Sequence, residues 1–192
     1  MILEKNINFE RIILIGMPCS GKSSIGKALA QHYHLDFVDM DEEIVNTAGM
    51  SIQEIFETQG EAAFRAIESQ VAKRLSETKN VLIATGGGVV TREENMRFLK
   101  KNTSIIIFIH RNFCKFATTP KRIMDKRPML RQTSFEKLLA LYKTRLPLYK
   151  KYCDIETHND TTKEEALREM IKAVEKYNSE YSSCENTEET NE

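Results

Sequence analysis

The sequence predicts an α/β protein in which a parallel β-sheet lies between two layers of helices, a three-layer α/β/α sandwich. Two observations predict this class. Short runs of aliphatic, often β-branched residues alternate along the chain with longer segments whose apolar residues recur at helical spacing. The clearest strand-like runs are also continuously apolar, as expected for strands that helices cover on both faces.

Five segments carry the strand pattern. The first ends at a glycine loop, and the third stops at a run of three glycines, so both are bounded by residues that favour turns. Strands that alternate with helices favour parallel pairing through helical crossovers. The predicted strands are residues 11–15, 35–38, 81–84, 105–109 and 152–156.

Helical spacing of apolar residues predicts the elements between these strands. The predicted helices cover residues 22–33, 41–47, 61–78 and 135–149, with a bend near Pro147, and a last one is centred on residues 166–174. Residues 178–192 offer little to bury, so we predict a disordered tail. Residues 1–177 then form a single domain.

Composition narrows the class of partner. Lys plus Arg and Asp plus Glu both total 28, so the formal net charge is zero and no general attraction to nucleic acid or to an anionic membrane is expected. Residues 105–109, the longest apolar run, are too few to cross a bilayer, and the N-terminus lacks a signal-peptide pattern. The four cysteines form no CxxC pair, which favours reduced thiols. We therefore expect a cytoplasmic enzyme.

Residues 16–23 satisfy the phosphate-binding pattern G-x-x-x-x-G-K-[ST]. Such a loop wraps backbone N–H groups around phosphates and delivers them to a helix N-terminus. In this pattern Lys22 reaches the β- and γ-phosphates, and the Ser23 hydroxyl binds Mg²⁺. A chance glycine-lysine turn is the alternative, but the preceding strand and following helix favour nucleotide binding. The candidate nucleotide-binding residues here are Gly16, Pro18, Cys19, Ser20, Gly21, Lys22, Ser23 and Ser24.

Two carboxylates, Asp39 and Asp41, follow the second predicted strand. They would lie at the carboxyl edge of the sheet, where open α/β sheets bind ligands. One could hold Mg²⁺ through water while the other accepts hydrogen bonds from a hydroxylated substrate. A helix N-cap is an equally good interpretation, since Asp41 precedes two further acidic residues.

Two arginines and a glycine triplet are candidates for binding a second substrate. Arg65 and Arg145 each border an apolar stripe, and together they would suit a carboxylate through bidentate hydrogen bonds. Taken singly, each could instead be a surface salt-bridge partner. The Gly86, Gly87 and Gly88 run follows a buried strand, where a ligand could touch the backbone. A loose turn is the alternative.

A basic segment, residues 112–131, contains Arg122 and Arg127. It follows a strand whose end should face the phosphate loop. We therefore predict a lid that closes over ATP and adds a cation to the transferring phosphoryl group. A solvated run of charges is the alternative.

Taken in order, these motifs resemble the shikimate kinase family over residues 11–177. The resemblance implies a P-loop fold of the nucleoside-monophosphate-kinase-like type. It also implies transfer of the ATP γ-phosphate to the 3-hydroxyl of shikimate, giving shikimate 3-phosphate and ADP for aromatic amino-acid biosynthesis. ATP, Mg²⁺ and shikimate are the implied ligands, and a monomer is the implied state.

The same resemblance assigns roles to residues. Lys22, Asp41 and Arg127 would be catalytic, with Asp41 also binding the ring hydroxyls of shikimate. Ser23 and Asp39 would hold Mg²⁺, and Arg122 would lie near the adenine. The implied shikimate-binding residues are Asp41, Arg65, Gly86, Gly87, Gly88 and Arg145.

The chain departs from the family pattern at Cys19, where a glycine is usual, and at Met40 and Met129. If the backbone at residue 19 needs a positive φ, a cysteine there would strain the loop.

Two alternative functions remain: a kinase for another small acid, such as gluconate, or a nucleotide-binding module without turnover. A coupled assay with several acceptors separates them.

Overall fold

A computed structural model describes residues 7–101, 103–118 and 134–188, with side chains up to residue 182. Within these residues the chain forms one five-stranded sheet with the strand order β2-β3-β1-β4-β5. Every pair of neighbouring strands is parallel. The strands are β1 (Arg11–Ile15), β2 (Asp36–Asp39), β3 (Val81–Ala84), β4 (Ser104–His110) and β5 (Ile155–His158).

Helices connect the strands and cover both faces of the sheet. The helices are α1 (Lys22–His32), α2 (Met40–Ala48), α3 (Ile52–Thr58), α4 (Gly60–Leu75), α5 (Glu93–Leu99), α6 (Phe113–Ala117), α7 (Phe135–Tyr152) and α8 (Lys163–Glu188), with a 3₁₀ turn at Val89–Thr91. In the described part of the chain, no helix combines the length and apolarity needed to span a membrane.

The central strand β1 divides two hydrophobic cores. Ile13 and Ile15 pack on one side with side chains from α2, α4, α5 and α7. Ile12 and Leu14 pack on the other side with side chains from α1 and α8. Successive strand residues point to opposite faces, so a strand covered on both sides must be apolar throughout. This arrangement confirms the predicted three-layer α/β/α class.

All five strands run in the same direction, so their carboxyl ends share one edge of the sheet. The first residue of β1, Arg11, pairs with Val81 of β3 and with Ser104 of β4. The loops that leave β1, β2 and β3 therefore open side by side. Residues far apart in sequence, in the phosphate loop, the Asp39 step and the glycine triplet, are thereby placed next to one another.

Several predicted boundaries differ from the structure. The predicted last strand, residues 152–156, begins too early because Tyr152 is the final residue of α7. Two seven-residue helices, α3 and α5, were not predicted, although Ser51 and Glu54 form a capping box that begins α3.

The predicted disordered tail also begins too early at residue 178. Helix α8 continues to Glu188, and the ring of Phe9 packs against Tyr177 and Tyr181 with centroid distances of 5.7 and 5.1 Å. The backbone N–H of Asn8 donates to the Asn178 side chain at 2.8 Å. Aromatic burial against the start of the chain thus extends the helix past a sequence that is mostly polar.

Candidate active site

The phosphate loop connects β1 to α1, and the predicted lysine, Lys22, is the first residue of α1. Lys22 is buried, and its ammonium donates to the carbonyls of Gly16 and Met17 at 2.8 and 2.9 Å. Gly21 precedes the helix with φ of 97°, a conformation that favours glycine. The ammonium therefore lies against the first two residues of the loop. In a loop of this pattern, that is where the phosphates are bound.

Cys19 adopts the strained conformation that its departure from the family pattern implied. Its φ is 63°, in the left-handed region that non-glycine residues avoid. Cys19 is half-buried, and its carbonyl accepts a hydrogen bond from Arg111 at 2.5 Å. The loop therefore holds Cys19 in place at a cost in backbone energy.

We expect Cys19→Gly to be more stable than Cys19→Ala by about 1 kcal/mol, because glycine relieves the positive φ and alanine does not. Both variants remove the sulfur, so their difference reports the backbone alone. The free energy of unfolding from urea titration is the measurement. Equal stability of the two variants would contradict the strain.

Two side chains that the sequence did not reveal donate hydrogen bonds to carbonyls of the loop. Arg111, just after β4, donates to the Cys19 carbonyl, and Asn159, just after β5, donates to the Ser20 carbonyl at 2.8 Å. A Cβ at Gly21 would lie 2.5 Å from the Asn159 amide, so this support requires glycine there. Nothing local in the sequence pairs these residues with the loop. The β1–β4–β5 pairing brings them together.

The remaining predicted nucleotide-binding residues lie on the loop or outside the described chain. Pro18 faces the glycine triplet, Ser20 is fully buried, and the exposed Ser24 hydroxyl donates to the Gly21 carbonyl at 3.2 Å. Arg122 and Arg127, with most of the predicted lid, lie outside the described residues.

Asp39 caps α2 and also contacts the phosphate loop. One carboxylate oxygen accepts the backbone N–H of Asp41 at 3.0 Å, so Asp39 and not Asp41 is the N-cap of α2. The other oxygen accepts the hydroxyl of Ser23 at 2.6 Å. A hydroxyl and a carboxylate in contact at the phosphate loop form an oxygen donor set that fits Mg²⁺.

Arg65 is held inside the fold by carboxylates of its own helix. The residue is only 8% exposed, and one guanidinium nitrogen donates to both oxygens of Glu68 at 3.0 and 2.8 Å. A second nitrogen donates to Glu61 at 3.2 Å. The surface salt-bridge alternative therefore does not describe Arg65.

Arg145 reaches the same place from α7. It is 6% exposed, and its guanidinium donates to the carbonyl of Gly87 at 3.1 Å. The hydroxyl of Tyr149, one turn later, donates to the same carbonyl at 2.5 Å. Burial raises the pKa of the Tyr149 phenol, so it stays a neutral donor.

The glycine triplet is the point where these groups meet. A Cβ at Gly86 would lie 2.9 Å from a carboxylate oxygen of Asp41. A Cβ at Gly87 would lie 2.7 Å from the ring of Pro18, and one at Gly88 would overlap the Arg65 guanidinium. Side chains would fill the space, so a loose turn does not explain the triplet.

Glu68, which sequence reasoning also missed, lies under this group and is 1% exposed. Burial raises the pKa of its carboxyl, the Arg65 guanidinium opposes this shift, and Asp41 adds to it. Its spacing of three residues from Arg65 was the available signal. The structure thus gathers two arginines, the Asp41 carboxylate and a glycine backbone beside the phosphate loop.

Comparison with known proteins agrees with this geometry. The family model "Shikimate kinase" matches residues 18–175. The chain belongs to the shikimate kinase family. It is 38% identical to the shikimate kinase of Aquifex aeolicus over 168 residues, which are 86% of this chain and 96% of that protein. It is 41% identical to a shikimate kinase of Clostridium botulinum over 164 residues, 85% of this chain and 96% of that protein.

Solved structures of shikimate kinases share the fold. The Acinetobacter baumannii enzyme, solved in complex with shikimate, superposes with a TM-score of 0.74 at 28% identity over 88% of this chain and 94% of its own. A gluconokinase from Sinorhizobium meliloti superposes with a TM-score of 0.56 at 16% identity, over 92% of this chain and 98% of its own, which shows a shared fold alone. The protein is accordingly an ATP-dependent kinase with a P-loop fold.

Proposed function

We propose that this enzyme transfers the γ-phosphoryl group of MgATP to the 3-hydroxyl of shikimate, giving shikimate 3-phosphate and ADP. The observation that carries the proposal is the convergence of Arg65, Arg145, Asp41 and the glycine triplet beside the phosphate loop. A relative from Acinetobacter baumannii has been solved with shikimate bound, which supports the same acceptor here.

The two arginines suit the carboxylate of shikimate. Both guanidinium groups are buried and hydrogen-bonded, so they lose little side-chain entropy when they bind an anion. Glu68 neutralises one positive charge and fixes the Arg65 fork, while the Gly87 carbonyl fixes Arg145. All three guanidinium nitrogens of Arg65 already donate to Glu61 or Glu68. The N–H groups left for a bidentate contact are therefore chiefly those of Arg145.

Asp41 suits the ring hydroxyls. It lies in the first turn of α2, next to Gly86 and two residues beyond the Asp39 N-cap that positions its backbone. A carboxylate there accepts hydrogen bonds from a hydroxyl and orients its oxygen toward the γ-phosphate. In a loose phosphoryl-transfer transition state this orientation matters more than strong basicity.

The phosphate loop would bind the nucleotide through its backbone N–H groups and Lys22. Ser23 and Asp39 would hold Mg²⁺, which neutralises phosphate charge when bound. Arg127 would add a cation from the lid and exclude water, which limits ATP hydrolysis without an acceptor. We further propose that the enzyme acts as a monomer in the cytoplasm.

A coupled ADP-release assay tests the proposed acceptor. ADP release with MgATP is expected to require shikimate and to stay at the background rate with gluconate or with no acceptor. ³¹P NMR of the product is expected to show a phosphate ester at the 3-position. Turnover with gluconate alone would support the small-acid alternative, and tight ATP binding without transfer to any acceptor would support a non-catalytic module.

We expect Asp39→Asn to raise the Mg²⁺ concentration needed for half-maximal activity by roughly tenfold or more, since the amide removes a negative charge from the oxygen donor set. Asparagine still caps a helix, so α2 should remain intact. Asp36→Asn, at the exposed start of the same strand, is the matched control. An unchanged Mg²⁺ requirement in Asp39→Asn would remove Asp39 from the metal site.

A further inference from the structure

A second cluster of polar side chains lies on the β4–β5 side of the sheet, at the carboxyl ends of these two strands. His110 and His158 are paired across these two parallel strands, and Glu156 precedes His158 by two residues on the same face of β5. In the part of the chain that the structure describes, these three residues place one possible ligand atom each within 4.8 Å of the others.

We propose that His110, Glu156 and His158 bind one divalent transition-metal ion of the Zn²⁺ class. Two imidazoles and a carboxylate are a donor set that zinc and its neighbours in the first row prefer, whereas Mg²⁺ prefers oxygen alone. The site is separate from the proposed Mg²⁺ ligands Ser23 and Asp39, and it does not depend on the acceptor being shikimate.

The separations are close to those that a tetrahedral ion needs. Nδ1 of His110 lies 2.7 Å from Oε1 of Glu156, and Nε2 of His158 lies 3.9 Å from the same oxygen. Two ligands bound about 2.0–2.1 Å from a tetrahedral zinc lie roughly 3.4 Å apart. These two separations bracket this value. His158, whose side chain is 61% exposed, is free of the core and can rotate toward the ion.

Each ligand also has an outer partner that would orient it. Nε2 of His110 lies 2.7 Å from the Tyr142 hydroxyl, which can accept or donate and so allows the tautomer with an open Nδ1. Nδ1 of His158 lies 3.8 Å from Asp160, whose other oxygen accepts the backbone N–H of Asn112. Metal-binding histidines usually have such partners.

Glu156 is placed by a cation on its other side. Lys150 lies 3.5 Å from Oε2, which leaves Oε1 facing both imidazoles. All three ligands stand on paired strands rather than on a loop, so their spacing is set by the sheet.

The site adjoins the supports of the phosphate loop. Arg111 follows His110 and donates to Cys19, and Asn159 follows His158 and donates to Ser20. An ion that joins His110 to His158 would therefore join the two strand ends on which the loop rests.

Isothermal titration of the metal-free, nucleotide-free enzyme with ZnCl₂ tests the proposal. We expect one ion per chain and no displacement by a large excess of MgCl₂. His158→Gln should weaken binding by more than about tenfold, and Tyr142→Phe by roughly tenfold, since loss of an outer partner alone costs 10–100-fold. His34→Asn, which removes another of the four histidines, is the matched control and should bind Zn²⁺ like the wild type.

Thermal unfolding supplies a second readout. At a hundredfold excess over the wild-type dissociation constant, Zn²⁺ should raise Tm of the wild type by roughly 5–10 °C and that of His158→Gln by at most about half as much. Without Zn²⁺ the two proteins should unfold at the same temperature, because His158 is mostly exposed. Absence of stoichiometric binding, full binding by His158→Gln, or loss of binding in His34→Asn would each overturn the site.

Discussion

Lys22→Met is expected to lower kcat by roughly 10²–10³-fold, the effect of removing one charged group that stabilises a transition state. The Lys22 ammonium is held by two loop carbonyls, at 2.8 and 2.9 Å, where phosphates would enter. Methionine keeps an unbranched side chain for the buried stem and removes the charge together with the two hydrogen bonds that the ammonium donates. The measurement is the steady-state rate of ADP release at saturating shikimate and MgATP.

Lys27→Met is the matched control for this prediction. Lys27 lies on the exposed side of the same helix, with its ammonium 5.4 Å from the centroid of the Phe37 ring. The substitution is identical, so any general effect on α1 should appear in both variants. We expect the control to keep the wild-type kcat. Wild-type turnover in Lys22→Met, with ATP bound, would show that another cation stabilises the transferring group.

The central part of the fold could be predicted because central strands of a parallel sheet leave an unmistakable pattern. β1 and β3 lie inside the sheet, and their residue bounds agree with the predicted runs. β5 lies at the edge, and its residues alternate between buried and exposed. An edge strand of four residues gives a weak signal, so its predicted start was wrong by three residues.

The site was predictable where its chemistry is local in sequence. The phosphate loop is one continuous motif. The glycine triplet is also visible in the sequence, because three adjacent glycines lose much conformational entropy on folding and so indicate a specific role. Glu68, Arg111 and Asn159 have no such signature. Glu68 matters because it is buried, and Arg111 and Asn159 matter because the sheet brings them to the phosphate loop. A single sequence specifies neither the burial nor these contacts.

Glu68 also explains how the buried guanidinium of Arg65 is tolerated. A guanidinium that is removed from water needs a partner, and Glu68 supplies both carboxylate oxygens to Arg65. The same contact fixes the direction of the Arg65 fork before an acceptor arrives. The carboxylate therefore serves the stability of the fold and the geometry of the site together, and a test of Arg65 must separate these two roles.

Arg65→Ala is expected to lower kcat/KM for shikimate by roughly 10²–10³-fold. The substitution removes the guanidinium that would pair with the shikimate carboxylate, and truncating one partner of a buried charge pair typically costs a few kcal/mol. ATP affinity should change little, since Arg65 lies beside Gly88 and not in the phosphate loop. The single variant also leaves Glu68 buried without its partner, which destabilises the fold. Substrate kinetics and the free energy of unfolding should both be measured.

The double variant Arg65→Ala, Glu68→Gln separates the two effects. Removing the buried charge should recover much of the stability, whereas the use of shikimate should stay as poor as in the single variant, because no guanidinium has been restored. Arg74→Ala is the matched control, since Arg74 lies on the same helix with a side chain that is 54% exposed. Should the double variant regain wild-type kcat/KM, the single variant's defect would have come from the stranded carboxylate. The acceptor's carboxylate would then be bound without Arg65.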